Sequence, residues 1–397
     1  MNILEYDYLK VKTYDLRVQD EKERKSYILS FSDQHHVKID ENAKQIIDLF
    51  DGKNRLKDIE QKLENIGIVI TEEELKRIVK DILIGKAMLE GTQYTKKKGN
   101  SMLWLKVPII DSYKLRGIFN ILKCAFYKGM LIAGMISIIL CGIISVYAIL
   151  NHSFNSDINS VKIMLFSYLS MIIHEFGHVA AAYRYNISVG KIGIGMYMLY
   201  PVMYVDMTNA WRLQSRQRVL VDIGGMYFQA LTILPLTIIG LISGDIFYFI
   251  CNIYILAMSV YNLFPFLKLD GYWLFCDYFE INNISTNAFK IIKNELINRK
   301  GCRYERKKIY YVFSVVYALS MSFMFGVGIV YSITIIRNWA YVSETSKLII
   351  EAWGNKNYGS AFTNINSILI YIIPLIFILV MIMKGIAKIF GKRKKND

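Results

Sequence analysis

The stretch KIMLFSYLSMIIHEFGHVAAAY, residues 162–183, decides how this chain is read. Apart from Lys162 it is apolar or uncharged until His174-Glu175-Phe176-Gly177-His178. It is long enough to cross a hydrocarbon core of ~30 Å as a helix. Ionisable groups in the middle of such a segment cost at least ~2.5–3.5 kcal/mol each, so they mark function by default. On a helix, His174 and His178 stand four residues apart and share one face, so both imidazoles can reach one metal. Two neutral imidazoles and a carboxylate make a three-ligand zinc site with one position open for water, whose pKa falls towards ~7. Glu175, beside His174, can take that water's proton and pass it to a leaving amine. The chain has only five histidines, so chance gives this HExxH spacing in about a few per thousand chains of such composition. The competing explanation is a helix that places polar residues for packing or a proton relay.

Working outward, five further apolar runs flank this one: Gly129–Leu150, Val219–Ile242, Ile246–Leu267, Ile309–Ile336 and Ile368–Met383. The expectation is a polytopic α-helical membrane protein with about six transmembrane helices. The loops between runs one and two, and between runs three and four, contain no Lys or Arg. The opposite loops collect Lys96–Lys128, Arg184–Arg218, Lys268–Lys308 and the basic tail Lys392–Lys395. By the positive-inside rule both termini then lie in the cytoplasm. The polar, mixed-charge N-terminus does not read as a signal peptide.

Composition agrees with that division. The 397 residues are 54% hydrophobic and 20% charged, with a formal net charge of +15. Residues 1–100 hold 19 basic and 19 acidic side chains, so the whole excess follows residue 100. The charge is thus a topology signal and not a nucleic-acid signature. The five cysteines form no CxxC pair and three lie in or beside apolar runs, which argues against a disulfide-stapled secreted fold or a Cys-rich zinc module.

Residues 1–95 read as a separate small α+β, winged-helix-like domain, and 96–128 as a basic linker before a membrane domain at 129–390. Ser26–Phe31 is β-prone, and Val37–Ile39 is placed to pair with it. Three helices follow: one capped by Asp40 with Ala43, Ile46, Ile47 and Phe50 on one face; one near Leu56–Ile66; and one opened by the capping box Thr71-Glu-Glu-Glu74. Met88–Leu89 is expected as a short wing. His35-His36 falls on a turn, where adjacent side chains diverge, and is expected to be exposed.

A third ligand must come from elsewhere. NLFPFLKLDG, residues 262–271, ends the fourth run. At ~1.5 Å per residue His174 lies ~18 Å from the outer end of its helix, in the inner half of the bilayer. Unwinding at Pro265 would let Asp270 return towards the histidines, but on its own the segment reads equally as a helix end with an Asp-Gly turn. Gly190–Val205 is too short and irregular to span, which leaves a membrane-embedded hairpin or an amphipathic surface connection.

HEFGH in one span and NLFPFLKLDG in a later one resemble the site-2 protease family of intramembrane zinc metalloproteases. GIGMYMLYPVMYVDMTNAWRLQSRQR (193–218) and DGYWLFCDYFEI (270–281) look like its bacterial peptide zinc metalloprotease branch. The resemblance covers roughly 160–285. It implies a site-2-protease-like core that binds one zinc ion through His174, His178 and Asp270, with Glu175 as catalytic base and Asn262 positioning substrate or steadying the oxyanion. Gly224-Gly225-Met226 departs from the Ala-Gly-Pro of many relatives. Over 26–92, VKIDENAKQIIDLFDGKNRLKDIEQKL and TEEELKRIVKDILIGKAML look like a PqqD-like domain, a unit that recognises leader peptides. That resemblance implies strand addition at a sheet edge near Ser26–Phe31, beside the Glu73–Gly85 helix. Balanced charge argues against the DNA-binding use of a winged helix.

The two resemblances together imply a bacterial cytoplasmic-membrane protease that cuts a precursor peptide in maturation or export of a ribosomally made modified peptide or bacteriocin. Its expected partners are the precursor or leader peptide, the lipid bilayer, an ABC exporter and a peptide-modifying enzyme, with no nucleic acid. A regulatory protease cutting a membrane-anchored transcription factor or anti-sigma factor, and a non-proteolytic export or immunity component, remain the alternatives.

Overall fold

The computed structural model describes residues 8–21, 24–32, 35–94, 103–151, 160–197, 200–265 and 269–280, and parts of 312–368. They fall into two compact units. One is drawn from Met1–Ser101, Ile187–Gly190 and Asp206–Arg218, the other from Met102–Asn186, Lys191–Val205 and Val219–Asp397.

In the first unit an antiparallel meander runs β1 (Tyr14–Glu21), β2 (Arg24–Phe31), β3 (His36–Asp40). Helices α1 (Glu41–Asp48), α2 (Leu56–Asn65) and α3 (Glu72–Ile78) follow. The caps form as the sequence dictates. Asp40 accepts from the Ala43 amide at 2.8 Å, and Thr71 and Glu74 exchange bonds across a capping box. Leu29, Phe31, Ile46, Ile47, Phe50, Ile59, Leu63, Leu75, Val79 and Leu83 share one core.

Three expectations change here. Ser26–Phe31 is the central strand and not an edge, because Tyr14–Glu21, whose apolar residues alternate at Tyr14, Leu16 and Val18, pairs along its other side. Among the described residues, the edges of this sheet are β1 and β3. Met88 and Leu89 form no exposed wing: both are core residues, and Leu89 bridges Val11. His35 is buried, its ring stacked between Phe31 and Tyr94 at 4.5 Å from each. His36 is half-buried, 3.0 Å from Ser30 Oγ, and burial pushes its imidazole below the usual range.

Two short segments distant in sequence complete this unit. Arg212 pairs with Asp15 of β1, Asn209 bonds to His36, and the Asn209 amide also donates to the Ser188 carbonyl at 3.0 Å.

The second unit opens with β4 (Leu103–Asp111) and α4 (Arg116–Leu122), which lie within the stretch read as a linker. Among the described residues, three helices are long and apolar enough to cross a membrane: α5 (Lys128–Leu150), α6 (Ser160–Arg184), and the paired α7 (Ser215–Leu231) and α8 (Ile233–Ser243), which together run as Ser215–Ser243. The break at Thr232 falls where Pro235 removes a helix donor. The outer surface of α5 exposes Met130, Ile132, Ile136, Ile139 and Ile143, a face suited to lipid and not to water. A shorter apolar helix, α9 (Ile246–Asn262), follows a cap in which Asp245 accepts from the Phe247 amide at 2.9 Å. Helix α9 ends at Asn262 and the chain turns at Leu263–Pro265, where a break was expected near the end of this run; residues 266–268 lie outside the described residues. Of the remaining two, Ile309–Ile336 is described only in part, and Ile368–Met383 lies outside the described residues after Ile368.

Helices α5, α8 and α9 pack on one another around a buried amide. Asn252 donates to Ser145 of α5 at 2.9 Å and to Thr237 of α8 at 2.8 Å. Asn252→Ala is expected to lower the melting temperature of the detergent-purified protein, a cost of about 1–2 kcal/mol.

Gly190–Val205 contains an antiparallel hairpin: β5 (Lys191–Tyr197) pairs with β6 (Tyr200–Val205), and β4 adds on the other side of β5.

Candidate metal centre

Helix α6 carries the histidine pair, and the fold brings a carboxylate to it from 96 residues away. His174 Nε2 and His178 Nε2 face each other at 3.1 Å. Asp270 Oδ2 lies 2.8 Å from His174 Nε2, and its Oδ1 lies 3.5 Å from His178 Nε2. One ligand atom from each residue falls within 4.8 Å of the others. Both histidines are buried and Asp270 is half-buried.

Asp270 reaches this point from a second helix whose start lies against the end of α9. Asp270 begins the short helix α10 (Asp270–Tyr278). Gly271 follows it, and a Cβ there would stand 2.2 Å from the Leu263 carbonyl oxygen. Only glycine lets the start of α10 lie against the end of α9, so the Asp-Gly pair has a steric reason.

Helix α7 forms the other wall with a stripe at four-residue spacing: Val221, Gly225, Gln229. The Val221 carbonyl accepts from His178 Nδ1 at 2.8 Å. Gln229 Oε1 lies 3.2 Å from His174 Nδ1. Gly177 and Gly224 let the two helix backbones approach, since a Cβ on Gly177 would sit 2.2 Å from the Gly224 carbonyl oxygen.

The donor set fits a cation. A backbone carbonyl can only accept, so His178 carries its proton on Nδ1 and turns a bare Nε2 inward. With Gln229 accepting in the same way from His174, two nitrogen lone pairs and a carboxylate converge, and these repel unless a positive charge lies among them. Donors ~2.0–2.1 Å from a tetrahedral zinc stand about 3.3 Å apart; here the two imidazole nitrogens stand 3.1 Å apart, and Asp270 approaches them with different oxygens, Oδ2 at 2.8 Å from His174 and Oδ1 at 3.5 Å from His178. Space for the ion comes from Gly225, where a Cβ would fall 2.4 Å from His178 Nε2 and 2.6 Å from His174 Nε2.

Glu175 follows His174 on α6, half-buried, with the charges of His178, His174 and Asp270 as its electrostatic neighbours. Asn262 ends α9, half-buried, with its carbonyl oxygen against Gly271, and is not one of the converging donors. Reading the sequence missed Gln229 and the steric role of Gly225. A glutamine inside an apolar run was the available signal.

No protein-family profile matches the chain, and no solved structure matches it. Among curated proteins it is similar to one from Bacillus subtilis (strain 168) described as "Putative peptide zinc metalloprotease protein YydH". The two are 21% identical over 142 residues, 34% of this chain. The match spans just over half of that relative's length, 56%.

Proposed function

We propose that this chain is a membrane-embedded zinc metalloprotease of the site-2 type that cuts a precursor peptide. The observation that carries the reading is the convergence of His174, His178 and Asp270 within 4.8 Å, on and beside a helix apolar enough to span a bilayer. The similarity to a protein named as a peptide zinc metalloprotease supports the same reaction class.

His174, His178 and Asp270 would hold one zinc ion. Bound there, zinc would act as a Lewis acid that polarises the scissile carbonyl and acidifies the attacking water. Glu175 takes the proton released by the attacking water and returns it to the leaving amine. Asn262, at the end of α9, would orient the substrate backbone. The β6 strand packs against α6 and offers an edge for an extended peptide. The opposite edge, β4, is less suited because its register shifts and Pro108 lacks an N–H.

In this reading both termini are cytoplasmic, in a bacterial inner membrane, and the first unit captures a leader peptide on an edge of its β1–β2–β3 sheet. Its balanced charge fits a peptide ligand and not a phosphate backbone. Maturation or export of a modified peptide or bacteriocin follows, with an exporter and a modifying enzyme as partners.

Co-expression with a precursor encoded nearby, followed by mass spectrometry, tests this. Cleavage should occur with wild type. Chelation of the purified protein should abolish it, and added zinc should restore it. Cleavage that survives complete metal removal would exclude the mechanism. A leader peptide that fails to bind while a membrane-anchored regulator is cut would favour the regulatory alternative.

A further inference from the structure

We propose that Gln229 is a positioning residue of the metal centre, which sets the tautomer and aim of His174. The proposal rests on the metalloprotease reading above and deepens it. Gln229 is fully buried in α7. Its two amide ends differ only by which atom donates, so their orientation follows from their partners. Ser170 Oγ lies 2.7 Å from the Ser167 carbonyl, which can only accept, so the Ser170 hydroxyl gives its one proton there. Ser170 then has only lone pairs to offer Gln229, and the Gln229 amide nitrogen, 3.2 Å away, donates to it. That turns Oε1 towards His174 Nδ1, at 3.2 Å.

The consequence reaches the metal side of the ring. An acceptor at Nδ1 keeps the proton there and leaves Nε2 bare, aimed at His178 and Asp270. The reversed amide would set an N–H against Nδ1 and push the proton onto Nε2, into the space between the three donors. The two histidines are therefore oriented differently. His178 leans on the Val221 backbone carbonyl, which no side-chain change removes, whereas His174 depends on one replaceable amide.

The test uses purified full-length protein, titrated with zinc against a competing chelator and with cobalt for its visible spectrum. Gln229→Leu, nearly isosteric but without an acceptor, is expected to weaken zinc binding by about 10–100-fold and shift the cobalt bands. Gln229→Glu keeps an acceptor facing Nδ1 and is expected to recover most of both. Ser170→Ala frees the amide to turn and is expected to weaken binding several-fold, with the same spectral shift. If Gln229→Leu does not fold, Ser170→Ala decides. Affinity and spectra equal to wild type in Gln229→Leu, or in Ser170→Ala should Gln229→Leu not fold, would overturn the proposal. A wild type that takes up neither zinc nor cobalt would instead bring down the reading beneath it.

Discussion

Replacing Glu175 by Gln is expected to leave the metal in place and to slow peptide cleavage by about 10²–10⁴-fold, the usual worth of a positioned general base. The substitution changes one carboxylate oxygen to an amide and hardly alters volume. Glu175 is not one of the three converging donors, so the ligand set of His174, His178 and Asp270 survives. What is lost is a group able to accept a proton beside the attacking water. The measurement is cleavage of a co-expressed precursor by mass spectrometry, read with the zinc content of the same preparation. A variant that cuts as fast as wild type would remove Glu175 from the mechanism. One that loses its zinc would make Glu175 a structural element of the site instead.

Gly225→Ala is expected to be as damaging by another route. Its added methyl group would enter the space between the two imidazoles, 2.4 Å from His178 Nε2 and 2.6 Å from His174 Nε2. Neither ring can retreat freely, because each is held on its other nitrogen by α7. Zinc content should fall below a tenth of wild type and cleavage with it, while the protein still folds, since alanine favours the helix more than glycine does. Gly224→Ala, one residue earlier, makes a useful contrast. Its methyl group would meet the Gly177 carbonyl oxygen at 2.8 Å and the Ala181 side chain at 2.9 Å, so it should perturb helix packing and thermal stability first. Equal zinc content in Gly225→Ala and wild type would show that the gap at Gly225 is not the metal's.

These expectations also mark where the sequence was legible. The His174–His178 pair could be read directly because a helix turns i and i+4 to one face, a local property. The caps at Asp40 and Thr71 and the three helices of the first unit were legible for the same reason. Asp270 was not, because nothing local says how a chain turns after Pro265; its place was expected from resemblance, and the structure adds the Gly271 contact that makes the turn close. Gln229 and Gly225 act only across the α6–α7 contact, which no spacing within one segment encodes. The first strand escaped notice because its apolar residues Tyr14, Leu16 and Val18 alternate with Asp15, Arg17 and Gln19, and Leu16 and Val18 are exposed. His35 was misjudged because its stacking between Phe31 and Tyr94 depends on Tyr94, 59 positions further along the chain. The same limit applies to Ile187–Gly190 and Asp206–Arg218, which join the first unit through contacts such as Arg212 with Asp15.

The central claim is that His174, His178 and Asp270 form one zinc site. Metal analysis of the purified full-length protein after exposure to zinc and removal of the excess tests it most directly. Wild type should retain about one zinc per chain, and His174→Ala and Asp270→Ala should retain almost none. A folded wild type without zinc, or variants that hold it as firmly as wild type, would contradict the account.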